Sequence, residues 1–223
     1  MKRLIRLATP LLAALILVVG ASAATISFTD YVPGPSGNEF GTLNFTGQFF
    51  LPQFDSNLGT LNSVTISYTS AWQEVTSSYV NTGDEAGEAR LLGEFRSRVT
   101  NAVLINQLQT IPVLYDTGLQ TVAAGGNIGV SALSGSNGPT NATIIAALAA
   151  FIGNGNLTFD LNATLLVTNT FLGSFNGNQT AQGQGALTIT YDFTEDQQPG
   201  IPEPTTVLLV GSALLGLGFL RRR

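Results

Sequence analysis

Apolar and polar residues alternate with a period of two in three segments, and this pattern sets the expected architecture. In LNSVTISYTSAW, Val64, Ile66, Tyr68 and Trp72 share one face while Thr65, Ser67 and Thr69 share the other. In LTFDLNATLLVT, Leu157, Phe159, Leu161, Leu165 and Val167 alternate against Thr158, Asp160, Asn162 and Thr164. GALTITYDF places Leu187, Ile189, Tyr191 and Phe193 together. Alternation of β-branched and aromatic residues in this way predicts half-buried antiparallel strands. Shorter strands are expected at TISF, GTLNFTGQFF, RVTNAVLI and IPVLY. Turn signals separate them at Pro33-Gly34, Asn57-Leu58-Gly59, Gly125-Gly126, Asn137-Gly138-Pro139 and Asn176-Gly177-Asn178.

The expected fold is all-β, an antiparallel β-sandwich of jelly-roll type over residues 24–196. One short helix is expected over Thr143 to Ile152, where TIIAALAAFI is Ala-rich, Asn141 is available as a cap and Gly153 as a stop. The acidic stretch GDEAGEARLLGEF reads as a loop or as one or two turns of helix.

Both ends break the alternating pattern. MKRLIR is basic, LATPLLAALILVVG is apolar, and Ala21-Ser22-Ala23 offers small residues, so residues 1–23 read as a secretory signal peptide cleaved after Ala23 or Ala24. At the other end, a linker over 197–204 closes with Pro202-Glu203-Pro204. Sixteen uncharged residues follow at 205–220, then Arg221, Arg222 and Arg223. As a transmembrane helix the apolar run would span roughly 24 Å, somewhat less than a hydrocarbon core of about 30 Å. Bilayer thinning and the long arginine stems would absorb the difference. Pro202 and Pro204 lack amide donors and hold the chain extended before the span. Arg221 to Arg223 belong on the cytoplasmic side as a topology anchor, which places the body outside.

This three-part tail resembles the PEP-CTERM sorting signal of Gram-negative bacteria. The resemblance implies that Pro202, Glu203 and Pro204 are recognised by exosortase, an integral membrane enzyme. A plain single-pass anchor behind a Pro-rich linker is the alternative reading. A second resemblance rests on Phe54-Asp55, Leu58-Gly59-Thr60-Leu61, Ser63-Val64, Phe151-Ile152-Gly153 and Thr190-Tyr191, which are similar to the choice-of-anchor E domains. It would cover roughly Ala24 to Thr194, with no motif in 70–125, and it implies an architecture without an established activity. The partners implied are the Sec translocon, signal peptidase, exosortase, the membrane before processing, and exopolysaccharide in a biofilm or floc.

Charge sharpens this picture. Six of the nine basic residues lie within six positions of a terminus. Between Ala24 and Ile201 there are three arginines against thirteen carboxylates, a net of −10. Phosphate backbones are bound through neutralising cations, so a nucleic-acid partner is not expected. That stretch has no lysine, histidine or cysteine, which removes Ser-His-Asp, Cys-His, Schiff-base and thiolate-metal chemistry. No cofactor is implied, and the protein reads as a non-enzyme.

Three weaker signals are left. Glu85, Glu88 and Glu94, with Asp84, could supply the two carboxylates of a glycosidase, against the simpler reading of a solvated acidic loop. Asp84, Glu85 and Glu88 around Gly87, or Asp55 with Asn57, could offer oxygen ligands to Ca²⁺, although no EF-hand spacing is present and an Asx turn explains the second pair. Trp72, with Tyr68 and Tyr79, could stack on sugar rings in a carbohydrate-binding module, but Trp72 shares the parity of the core residues Val64 and Ile66.

Overall fold

In the computed structural model, residues 22–34, 39–102, 107–196 and 211–212 are described. Ala23–Thr194 form one compact unit. Its strands are β1 (Ala23–Val32), β2 (Gly41–Thr42), β3 (Phe45–Pro52), β4 (Gly59–Asn81), β5 (Gly87–Arg90), β6 (Leu92–Thr100) and β7 (Leu108–Thr110). They continue with β8 (Val113–Asp116), β9 (Gln120–Val122), β10 (Asn127–Ile144), β11 (Asn156–Val167), β12 (Thr170–Leu172) and β13 (Phe175–Glu195). One sheet runs β1-β13-β4-β10 with β2 beside β13, a second runs β3-β11-β6-β7 with β8 beside β6, and a small third sheet runs β12-β5-β9.

The two large sheets pack as a sandwich because the alternating apolar faces have no other way to leave water. Phe49, Leu51, Phe159 and Leu161 of the second sheet meet Val64, Ile66, Tyr68, Leu187, Ile189 and Tyr191 of the first in one core. Phe49 and Tyr68 touch edge to face across the layers, with centroids 6.3 Å apart. Gly185 lets the sheets approach, since a Cβ there would lie 2.9 Å from Leu161 Cδ2 and 3.1 Å from both Phe49 Cζ and Tyr68 Cε2. A second core continues the interior through Val75, Ala89, Leu91, Phe95, Tyr115, Val122 and Ile128, roofed by the third sheet.

The three strongest sequence patterns form β4, β11 and β13, with the expected faces inward; Leu165 and Val167 are half-buried rather than buried. TISF, GTLNFTGQFF and IPVLY fall in β1, β2–β3 and β8, while RVTNAVLI is a strand only to Thr100, and its residues 103–105 lie outside the described set. Four expectations are corrected. Thr143 to Ile152 is not an α-helix: Thr143 and Ile144 finish β10 opposite Thr65 and Val64, Ala147 turns left-handed at φ 55°, and only a 3-10 turn follows at Leu148–Phe151. A short Ala-rich segment nucleates a helix poorly, and the ladder to β4 captures its first residues. GDEAGEARLLGEF is not helical either, since its Gly87–Arg90 is β5 and Leu92 opens β6. Asn137-Gly138-Pro139 does not end a strand but forms an irregularity inside β10, with Gly138 at φ 120°. Asn176-Gly177-Asn178 likewise runs within β13.

β4 also changes face along its length. Its buried positions are even-numbered from Val64 to Ser70 and odd-numbered at Val75, Ser77 and Asn81. The switch follows Glu74, whose left-handed φ of 51° inserts the extra half-step. One strand thereby feeds both cores.

Candidate functional site

The sorting elements and the body are separate questions. Ala21, Pro202, Glu203, Pro204 and Arg221 to Arg223 lie outside the described residues, as do 205–210 and 213–220 of the expected span. Gly211 and Ser212 are helical. Among the described residues no helix is long and apolar enough to cross a membrane. Ala23 and Ala24 open β1 opposite Thr194 and Phe193.

The weak candidates are dispersed. Asp84 and Glu85 occupy the bend after β4, whereas Glu88 lies in β5 between Thr121 and Leu172. Glu94 is on β6, in a different sheet, between Val113 and Leu166. No group of three or more His, Cys, Asp or Glu able to hold a metal occurs among the described residues. Asp55 takes the Asx-turn role, accepting from the Asn57 backbone amide at 2.9 Å and from Asn57 Nδ2 at 2.8 Å. Trp72 is half-buried, edge-on to Phe95 at 6.3 Å and lying over Gly135, so its ring is committed to the second core. Tyr68 is buried, and burial pushes its pKa up. Tyr79 instead joins Phe171 and Phe175 in an aromatic trio, with centroids 5.0 Å and 5.1 Å apart.

The outer faces of the two large sheets differ in kind. On the β1-β13-β4-β10 sheet, hydroxyls pair across strands: Ser27 with Thr190 at 2.8 Å, Thr29 with Thr188 at 2.8 Å and Thr65 with Thr143 at 3.3 Å. The outer face of β3, β11 and β6 instead carries a groove of about 600 Å³ lined by Thr46, Gln48, Arg96, Arg98, Asp160 and Asn162, among others. Register builds it from three adjacent strands. Thr46 stands opposite Asn162, Asn162 opposite Arg98, and Arg98 opposite Gln109 of β7. Gln48 stands opposite Asp160 and donates to its Oδ1 at 2.8 Å. Arg96 follows opposite Thr164.

Arg96 and Arg98 are exposed and, among the described residues, have no carboxylate oxygen within 4.0 Å; the single ion pair among these residues is Arg90–Asp116. That pair is bidentate, at 2.9 Å and 2.6 Å, and holds the Asp116 carboxyl at about 2, below the usual carboxylate range. The groove residues were absent from the candidates read along the chain. A signal existed in EFRSRV, where Arg96 and Arg98 alternate with Phe95, Ser97 and Val99, but the neighbouring acidic residues masked the strand period.

No curated protein matches the chain. Solved structures similar to it include a T13 particle of infectious bursal disease virus, at 7% identity and TM-score 0.24, over 79% of this chain and 37% of that one. The Gx strain of the same virus matches at 11% identity and TM-score 0.18 over the same shares. Its VP2 subviral particle matches at 11% identity and TM-score 0.20, over 79% of this chain and 38% of that one. The chain thus spans little more than a third of these structures' length. Residues 200–223 match the family description PEP-CTERM protein-sorting motif, so the chain carries an exosortase-type sorting signal, which implies an exported protein sorted to the cell surface in Gram-negative bacteria.

Proposed function

We propose that this is an exported, non-enzymatic protein of the cell envelope or extracellular matrix, with a structural or adhesive role among exopolysaccharides. The observation that carries the reading is the match of residues 200–223 to the PEP-CTERM sorting motif. In this scheme the Sec translocon and signal peptidase act at residues 1–23, and the 205–220 segment anchors the chain transiently. Exosortase then acts near Pro202-Glu203-Pro204. The sandwich is read as a choice-of-anchor E type domain of jelly-roll kind. In its support, three of the sequence segments behind that resemblance converge at one end of the first core. The Phe54 amide donates to the Phe151 carbonyl at 2.8 Å and the Gly153 amide to the Phe54 carbonyl at 3.0 Å, while Phe54 packs on Tyr191 at 5.6 Å. Replacing Pro202-Glu203-Pro204 with alanines tests the reading: the protein should stay longer and membrane-associated. Normal processing and surface delivery of that variant would defeat it.

The second reading is a carbohydrate-binding module of the cell surface, favoured by the open polar groove on β3, β11 and β6. The half-buried Trp72 packs on Phe95 and Gly135 and lies outside the lining of that groove.

A further inference from the structure

We propose that the groove on the outer face of β3, β11 and β6 binds the carboxylates of an acidic polysaccharide through Arg96 and Arg98. This deepens the surface-protein reading by naming a ligand class, and it borrows from that reading only the choice of a polymer as occupant.

The argument begins with charge. A body with three arginines and thirteen carboxylates gives every guanidinium ample opportunity to pair, yet among the described residues only Arg90 does so. Arg96 and Arg98 stay unpaired on one face of β6, two residues and therefore about 7 Å apart along the strand. The carboxylate nearest to them in the groove lining, Asp160, is engaged by Gln48 instead. Two planar donor forks at that spacing can each take a carboxylate bidentately, so they suit a chain with repeated acidic groups better than a lone anion.

The rest of the groove suits a saccharide. Thr46 and Asn162 continue the Arg98 row within the lining, while Gln109 of β7 and Thr164 of β11, opposite Arg98 and Arg96, extend the same register beyond it. Asp160 and Gln48 form a second polar row. Amides and hydroxyls in rows match the hydroxyls of sugar units, while the carboxylate of Asp160 can accept from one. The lining contains no aromatic residue, so ring stacking is not the mode of capture.

The test is binding of the full chain in detergent to immobilised polygalacturonate, with neutral dextran and poly-glutamate alongside. Polygalacturonate should retain the protein, with affinity falling steeply as salt rises, and dextran should not. Arg96→Gln/Arg98→Gln should weaken binding tenfold or more, and Arg96→Lys/Arg98→Lys should weaken it less, because charge remains while the fork is lost. Both side chains are exposed, so thermal midpoints should match the parent and separate loss of binding from loss of fold. Equal retention of the parent and the glutamine variant overturns the site. Equal retention on poly-glutamate overturns the saccharide assignment. Neither outcome bears on sorting, which the Pro202-Glu203-Pro204 replacement reads separately.

Discussion

Asn81 ties the end of β4 to the turn that follows it and to β9, and its replacement has a calculable cost. Its Nδ2 donates to the Glu85 carbonyl at 2.8 Å and to the Val122 carbonyl at 3.0 Å, and its Oδ1 accepts from the Gly83 amide at 2.9 Å. The residue is 1% exposed. In Asn81→Leu all three bonds go. Glu85 and Gly83 lie near solvent and can recover water, at about 1 kcal/mol each, whereas the carbonyl of buried Val122 is stranded at about 1–3 kcal/mol. The sum is about 3–5 kcal/mol, or roughly 10 °C in thermal midpoint for a domain of this size.

Asn81→Asp separates donor loss from shape. An ionised carboxylate there still accepts from Gly83 but faces two carbonyl oxygens, so destabilisation at neutral pH should match or exceed that of leucine. Burial and those oxygens raise the introduced carboxyl's pKa in the fold above its unfolded value of about 4. Its relative stability is therefore greatest below about pH 4 and is lost as pH rises through the folded value. Urea unfolding followed by Trp72, the single tryptophan, measures this against the parent at each pH. A leucine variant within about 0.5 kcal/mol of the parent, or an aspartate variant with no pH dependence relative to it, would refute the reasoning.

Two tyrosines make an opposed pair. The Tyr191 hydroxyl donates to the Pro52 carbonyl at 2.7 Å, while the buried Tyr68 hydroxyl lies near Ser97, whose Oγ is engaged by Thr110, and makes no well-formed hydrogen bond among the described residues. Denaturant titration should show Tyr191→Phe losing about 1 kcal/mol and Tyr68→Phe unchanged or more stable. Burial raises both pKa values, so the stability they contribute is full below the unfolded value of about 10 and falls as pH climbs beyond it. Alkaline unfolding monitored by circular dichroism should accordingly be shallower in the double phenylalanine variant. For the surface ion pair, NMR titration of Asp116 should give a pKa of about 2, rising toward ordinary carboxylate values in Arg90→Ala.

Much of this was legible along the chain. Val64, Ile66 and Tyr68, and Leu187 to Phe193, sit in regular alternation, and a period of two commits such residues to one side of a strand whatever the strand pairs with. The tail is legible for a different reason: charge, apolar length and proline act locally, without a partner. By itself, then, the sequence determined the β class, the inward faces of the main strands and the sorting motif.

The tertiary structure decided what depends on partners. Thr143 and Ile144 are strand because β4 lies beside them, and Asn137 to Pro139 stay within β10 because the same partner resumes after the irregularity. The change of face on β4 at Glu74 interrupts the period, so no single alternation describes Val64 to Asn81. The groove exists only because β3, β11 and β6, distant in sequence, lie side by side in one register. Residues alternating on one strand announce a face, but which residues share that face across strands is set by pairing, and pairing is a property of the folded chain.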